Sequence, residues 1–118
     1  MTYLCLVYFE PRSLERLSPS EGTTLTRESL AYDEELQSSG HYIVANALEP
    51  VAAATTVRVR NGKMSTTDGP FAETKEHLGG FVLIDAKDLN EAIRLAAGIP
   101  LAQLGSIEVR PIKELRPA

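Results

Sequence analysis

Apolar and polar positions along this chain change period from one segment to the next. Tyr3 to Phe9 is an unbroken run of β-branched, aromatic and aliphatic residues, the pattern of a strand with both faces covered. Glu10-Pro11-Arg12 ends it. Ser13 to Thr24 reads as a loop, with Pro19 and Gly22 as breakers and one short turn packed down by Leu14 and Leu17. Thr26 to Ser39 then takes a helical period. Leu25, Ser29, Tyr32 and Leu36 share one face, and Gly40 supplies the left-handed residue that closes such a helix. Ser29 is the odd member of that face, a small polar residue where a larger apolar one would pack better.

His41 to Leu48 is predicted as a second strand. Thr55–Arg60 and Lys63–Thr67 form a hairpin around Asn61-Gly62, the pair that a two-residue type I′ turn prefers. Val57 and Val59 alternate with Arg58 and Arg60, so one hairpin face is wet. Phe81 to Asp85 is a further strand, apolar on both faces. Asp88, with Glu91 three residues on, caps a second helix whose stripe is Leu89, Ala92, Ile93, Ala96 and Ala97. Gly98 and Pro100 end it, and Ile107 to Ile112 is the last strand.

The order is βαββαβ with an inserted hairpin: one domain of the α+β class, a ferredoxin-like sandwich. Two helices cover one face of a four-stranded sheet. Tyr3–Phe9 and Phe81–Ile84 nevertheless carry apolar side chains on both faces. The uncovered face therefore predicts a homodimer, built by pressing that face against its copy in a second chain.

Charge and composition narrow the partners. A formal net charge of -4 argues against nucleic acid, and no apolar run approaches the roughly 20 residues of a membrane helix. The N-terminus lacks the basic region and cleavage site of a signal peptide. A single cysteine, Cys5, allows no internal disulfide, so a cytoplasmic setting is expected. Its place between Tyr3 and Val7 reads as a small buried hydrophobe. With two histidines and no cysteine near either, no metal site and no cofactor are predicted. Phosphate-binding and serine-hydrolase motifs are missing.

The densest chemistry runs from Thr67 to Gly80: Asp68-Gly69-Pro70-Phe71, then Glu73-Thr74-Lys75-Glu76-His77, then Gly79-Gly80 leading into Phe81. Together with Thr56 to Lys63 and Gly105 to Ile112, this stretch resembles the YCII-related family, and within it the DGPF branch named for the tetrapeptide at Asp68–Phe71. The resemblance implies a ferredoxin-like fold of the dimeric α/β-barrel type. It implies no single activity: most of the branch has no assigned reaction, some members are associated with extracytoplasmic-function sigma factors, and a related enzyme eliminates chloride from a chlorinated hydroxyhydroquinone. The wider family pairs a first-helix histidine with an aspartate. That histidine would fall near Ser29, and no histidine occurs between Met1 and Gly40. The dyad does not carry over.

Each candidate group has a functional and a structural reading. His41 is a general base or a helix-end imidazole facing the negative end of the dipole. Asp68 is an acid catalyst or the closure of an Asx turn. Glu73, Lys75 and Glu76 are a proton-handling, anion-holding cluster or solvated ion pairs. His77 is a base or a ligand contact. On the first helix, Ser29 and Tyr32 face a possible small cavity, and Asp33 beside them is a site acid or a surface acid. His41, Asp68 and Glu73 are the catalytic candidates; Ser29, Tyr32, Asp33, Lys75, Glu76 and His77 are the substrate-binding ones. Two functions follow. One is a cofactor-free lyase or isomerase acting on a small oxygenated metabolite. The other is a non-catalytic ligand-binding or regulatory dimer, with a sigma factor as a possible partner.

Overall fold

The computed structural model describes residues 1–117. The elements are β1 (Thr2–Phe9), α1 (Pro11–Glu15), α2 (Pro19–Ser38), β2 (Tyr42–Ala47), β3 (Thr55–Arg60), β4 (Lys63–Asp68), β5 (His77–Asp85), α3 (Leu89–Ala97) and β6 (Ser106–Pro111), with 3-10 turns at Val51–Ala53 and Pro100–Gln103. β2, β5, β1 and β6 lie side by side in that order, every neighbouring pair antiparallel. β3 and β4 form a separate two-stranded sheet. The result is the ferredoxin-like βαββαβ sheet with an inserted hairpin. No helix among the described residues is long and apolar enough to cross a membrane.

Strand alternation divides the sheet into two faces. Tyr3, Cys5 and Val7 of β1 and Val82 and Ile84 of β5 point to the helices and are buried, with Leu36 of α2 and Ala92, Ala96 and Ile99 completing the core. Burial pushes the Cys5 thiol up to about 11, so it stays protonated at neutral pH. The other face carries Leu4 opposite Leu83 and Leu6 opposite Phe81, half-buried, with Arg110 and Glu108 beside them on β6.

The first long helix starts seven residues earlier than the Thr26 predicted from its period, and a short helix occupies Pro11–Glu15, so most of the expected Ser13–Thr24 loop is helical. Local capping explains this. Ser18 is the N-cap, and its hydroxyl accepts from the Glu21 N–H at 3.1 Å while the Glu21 carboxylate accepts from the Ser18 N–H at 2.9 Å. Pro19 sits in the first turn, where its missing N–H costs nothing. Read as a breaker, Pro19 is in fact a starter. At the far end Gly40 takes φ 80, and the N–H groups of Gly40 and His41 donate to the carbonyls of Gln37 and Leu36.

Two further expectations shift. β5 begins at His77 rather than Phe81, because Gly79 and Gly80 belong to the sheet. Val7 faces Gly80 while Tyr8 faces Leu78, so Gly79 is the extra residue of a bulge, and its carbonyl accepts from the Leu48 N–H at 2.9 Å. A side chain at Gly79 would strike the Phe9 ring, and a Cβ at Gly80 would lie 2.9 Å from the Asn46 carbonyl oxygen. The predicted stripe of α3 also divides. Ala92, Leu95 and Ala96 pack inward, while Leu89 and Ile93 are each half exposed. Two alanines let α3 sit close to the sheet.

α2 and α3 are clasped by Tyr32, whose hydroxyl donates to the Leu95 carbonyl across the interface. The ring end passes directly over Gly98, where a Cβ would collide with it. Two outcomes follow for equilibrium unfolding. Ser18→Ala lowers stability by about 1 kcal/mol, roughly 3–6 °C in melting temperature for a chain of this size. The capping bonds, chiefly that from the Ser18 N–H, hold the Glu21 carboxyl below its usual range, so the carboxylate's own share of the cap is present above the ordinary glutamate pKa and fades as pH falls through the lowered value. Gly98→Ala lowers stability by about 1–3 kcal/mol by forcing the Tyr32 hydroxyl off its acceptor. Combined with Tyr32→Phe, its cost is less than additive; strict additivity in urea titrations contradicts the clasp.

Candidate functional site

α2 packs on the core at Leu36 and Tyr32 but leaves a gap along its middle, around Ser29. There the facing residues are small: Ser29 on α2, Ala45 on β2, Gly79 and Gly80 on β5. The space they leave is a solvent-open cleft of about 520 Å³, within the usual size of a small-molecule pocket. Val7, Val82 and the Phe9 ring contribute from the sheet, Leu25 and Leu30 from α2, and Ile99 and Leu101 close the side beside α3. Leu30 and Leu48 on its wall stay 61% and 44% exposed, so apolar surface reaches the solvent around it. The bulge at Gly79 is what makes room for the Phe9 ring.

Polar groups in the cleft are few. Thr26, Ser29 and Asp33 come from α2 and Asn46 from β2. Tyr32 lines it as well, though its hydroxyl is held by Leu95; burial first, and then the nearby Glu35 carboxylate, raises its phenol above the ordinary value. Asp33 is half-buried, and burial alone pushes its carboxyl above the ordinary aspartate value, with no hydrogen bond or cation drawing it back. Among the described residues that line the cleft, Asp33 is the one charged side chain.

Of the residues singled out from sequence, the structure brings Ser29, Tyr32 and Asp33 together on this cleft and leaves the others off its wall. His41 follows the end of α2. Its Nδ1 lies 2.8 Å from the Asp85 carbonyl oxygen, which fits a donating Nδ1–H, and 3.8 Å from Glu91 at the start of α3. Its backbone carbonyl accepts from the Asp85 N–H, so His41 ties helix end to strand end. Asp68 is exposed at the end of β4. The turn after it is closed by the Thr56 hydroxyl on the Gly69 carbonyl (2.8 Å) and the Gly69 N–H on Ala54 (2.7 Å), not by the Asp68 carboxylate. Gly69 takes φ 96 there. Glu73 and Lys75 are exposed. Glu76 accepts from the Ser106 hydroxyl of β6 at 3.2 Å, its carbonyl accepts from Thr74, and His77 stands opposite Phe9 in the sheet. Of the ionisable cluster Glu76 alone makes a side-chain bond among the described residues, to β6, while the Thr74 hydroxyl ties the loop to its own backbone.

Reasoning from sequence did not pick Phe9, Asn46, Gly79 or Gly80 as site residues. The signal was present for the glycines: two in succession inside a strand mark a close approach or a bulge. Nothing in the sequence marks Phe9 or Asn46, because their place depends on the register that the bulge sets.

Three comparisons bear on this geometry. A solved structure of a 5-chloro-2-hydroxyhydroquinone dehydrochlorinase, TftG, from Burkholderia phenoliruptrix AC1100 in complex with 2,5-dihydroxybenzoquinone superposes with a TM-score of 0.56. The match spans 96% of this chain and 94% of that one at 19% identity, which establishes a shared fold. An uncharacterised protein of Rhizobium meliloti (strain 1021) is 36% identical over 119 residues, spanning 99% of this chain and 96% of the relative. The family model for the YCII-related domain matches residues 1–116. The chain belongs to the YCII-related family.

Proposed function

We propose that the cleft beneath the middle of α2 is a small-molecule site in which Asp33 moves a proton, making the protein a cofactor-free lyase or isomerase of a small, partly apolar, oxygenated compound. The observation that carries this reading is a carboxyl group with no protein partner in an otherwise apolar cleft. A raised carboxyl pKa brings the group nearer to neutrality, where it accepts and returns protons most effectively. Ser29 and Thr26 on the same helix, and Asn46 across the cleft, are placed to hydrogen-bond ligand hydroxyls or carbonyls. Lyase chemistry is compatible with this fold, since the neighbour TftG is a dehydrochlorinase. A second reading, binding without chemistry, is favoured by one fact: neither histidine lines the cleft.

Assembly as a homodimer is part of the proposal. Leu4, Leu6, Phe81 and Leu83 leave an apolar strip on the helix-free face of the sheet. The β3–β4 hairpin supports it further. Val57, Val59 and Met64 share one hairpin face and are 59%, 59% and 71% exposed, while Arg58, Arg60 and Lys63 share the other. A two-stranded ribbon is marginal by itself and gains from packing its apolar face on another chain. The projecting hairpin leaves a radius of gyration of 16.4 Å, against about 13–14 Å for a compact chain of this length. Light scattering at micromolar concentration should give twice the 12.9 kDa chain mass, and Leu6→Glu should halve it. A monomeric wild type contradicts the dimer.

Asp33 gives the test of function. Its native pKa lies above the unfolded one, so the protonated form is favoured by folding: that benefit is complete below the ordinary aspartate range and is lost as pH rises through the raised value. Asp33→Asn therefore melts higher than wild type at pH 7, and the gap closes on acidification; a lower melting temperature at pH 7 shows that the carboxylate has a structural partner. With hydroxylated cyclic ketones and lactones that raise the wild-type melting temperature, wild type should exchange enolisable C–H protons for deuterium. Asp33→Asn should be about 100-fold slower or more while still binding. Binding with no exchange in wild type selects the non-catalytic reading.

A further inference from the structure

We infer that the ligand of this cleft carries a protonated amine: a small ring-bearing body that lies in the apolar part and an ammonium head that meets Asp33. This rests only on the reading of the cleft as a small-molecule site, whether or not Asp33 also moves a proton, and adds the sign of charge it selects.

The lining contains one carboxylate and no lysine, arginine or histidine. The elements packed around Asp33 do not alter that balance. β1, β2 and the Pro100–Gln103 turn contain no charged residue. β5 has His77 and Asp85 at its two ends, and the glycines and apolar residues between them are what it gives the cleft. α1 contributes Leu14 to the wall, and its Arg12 and Glu15 are exposed and offset each other. α2 itself has Glu21, Glu28, Asp33, Glu34 and Glu35 against Arg27 alone, a net charge of -4. An anionic ligand would lose its hydration there and find no cation, facing instead a like charge across a low-dielectric wall. A cation finds the reverse.

Shape and chemistry point the same way. Phe9 and Tyr32 both line the cleft, so aromatic surface is available to an ammonium group, which interacts favourably with ring faces. The Asp33 carboxyl is partly desolvated and has no counter-ion among the described residues. A bound ammonium supplies one and draws the carboxyl back to its ionised form. The protein leaves this charge unpaired in the free state, and the missing half of the ion pair is what the ligand brings.

A matched series tests it: 2-phenylethylamine, 2-phenylethanol and 3-phenylpropionate, which share a ring and differ in head-group charge, titrated at pH 7 by calorimetry and by amide NMR. The amine should bind about fivefold tighter than the alcohol or better, and the carboxylate more weakly than the alcohol. In Asp33→Asn the amine should fall to the level of the alcohol while the alcohol is unchanged. In wild type the ratio of amine to alcohol should shrink as salt is added, which needs no variant. Alcohol binding with no amine advantage, a carboxylate that binds as well as the amine, or an advantage that survives Asp33→Asn overturns the charge assignment and leaves the cleft as a ligand site. If none of the three shifts the amide signals of Ser29, Ala45 or Gly80 at millimolar concentration, the cleft reading and this inference fall together.

Discussion

α2 can press on the sheet at one end only. Leu36 is driven almost wholly out of water and Tyr32 is clasped to the Leu95 carbonyl, so the last turns of the helix are fixed on the core and tied to α3. A straight helix fixed there carries its middle over whatever the sheet presents. What the sheet presents is Ala45, Gly79 and Gly80, and the helix offers Ser29. Close packing needs side chains to interdigitate, and four small residues cannot fill that space. The cleft is thus a consequence of where volume is missing. Its walls are held apart by the clasp of Tyr32 on the Leu95 carbonyl and by the bulge at Gly79.

The sequence made the sheet legible because strands announce themselves through continuous apolar runs and turn pairs. Asn61-Gly62 takes φ 53 and 74, as a type I′ turn requires, and the strand order follows from the βαββαβ pattern. The start of α2 was less legible, although Asp88 marked that of α3. Ser18-Pro19-Ser20-Glu21 holds a complete capping box, but a proline and a glycine close by read as breakers when the apolar period begins only at Leu25. The split of α3 was hidden too, since Leu89 and Ile93 match a helical stripe as well as Ala92 and Ala96 do. Which pair faces inward depends on how near the sheet lies.

For the site, the useful signal was a residue that was too small. Ser29 stood out on an apolar helix face, and it lines the cleft with Tyr32 and Asp33. The acids, lysine and histidine between Asp68 and His77 drew attention by their density, yet density along a chain is not convergence in space. That loop bonds to Thr56, Ala54 and Ser106. The glycines that follow it in β5, Gly79 and Gly80, reach the cleft, and its charges do not. Polar residues that hydrogen-bond their own loop need no ligand, whereas a carboxyl group left without a partner in an apolar wall costs stability and makes sense where a ligand completes it.

The central claim is that the space beneath Ser29 is truly unfilled in the native protein. Measuring the unfolding free energy of Ser29→Leu against wild type tests it most directly. If the space is open, the added side chain enters it and the variant is at least as stable as wild type, with ligand binding lost. If Ser29 is already packed, the larger residue is forced out and stability falls by more than about 1 kcal/mol, which would contradict the account.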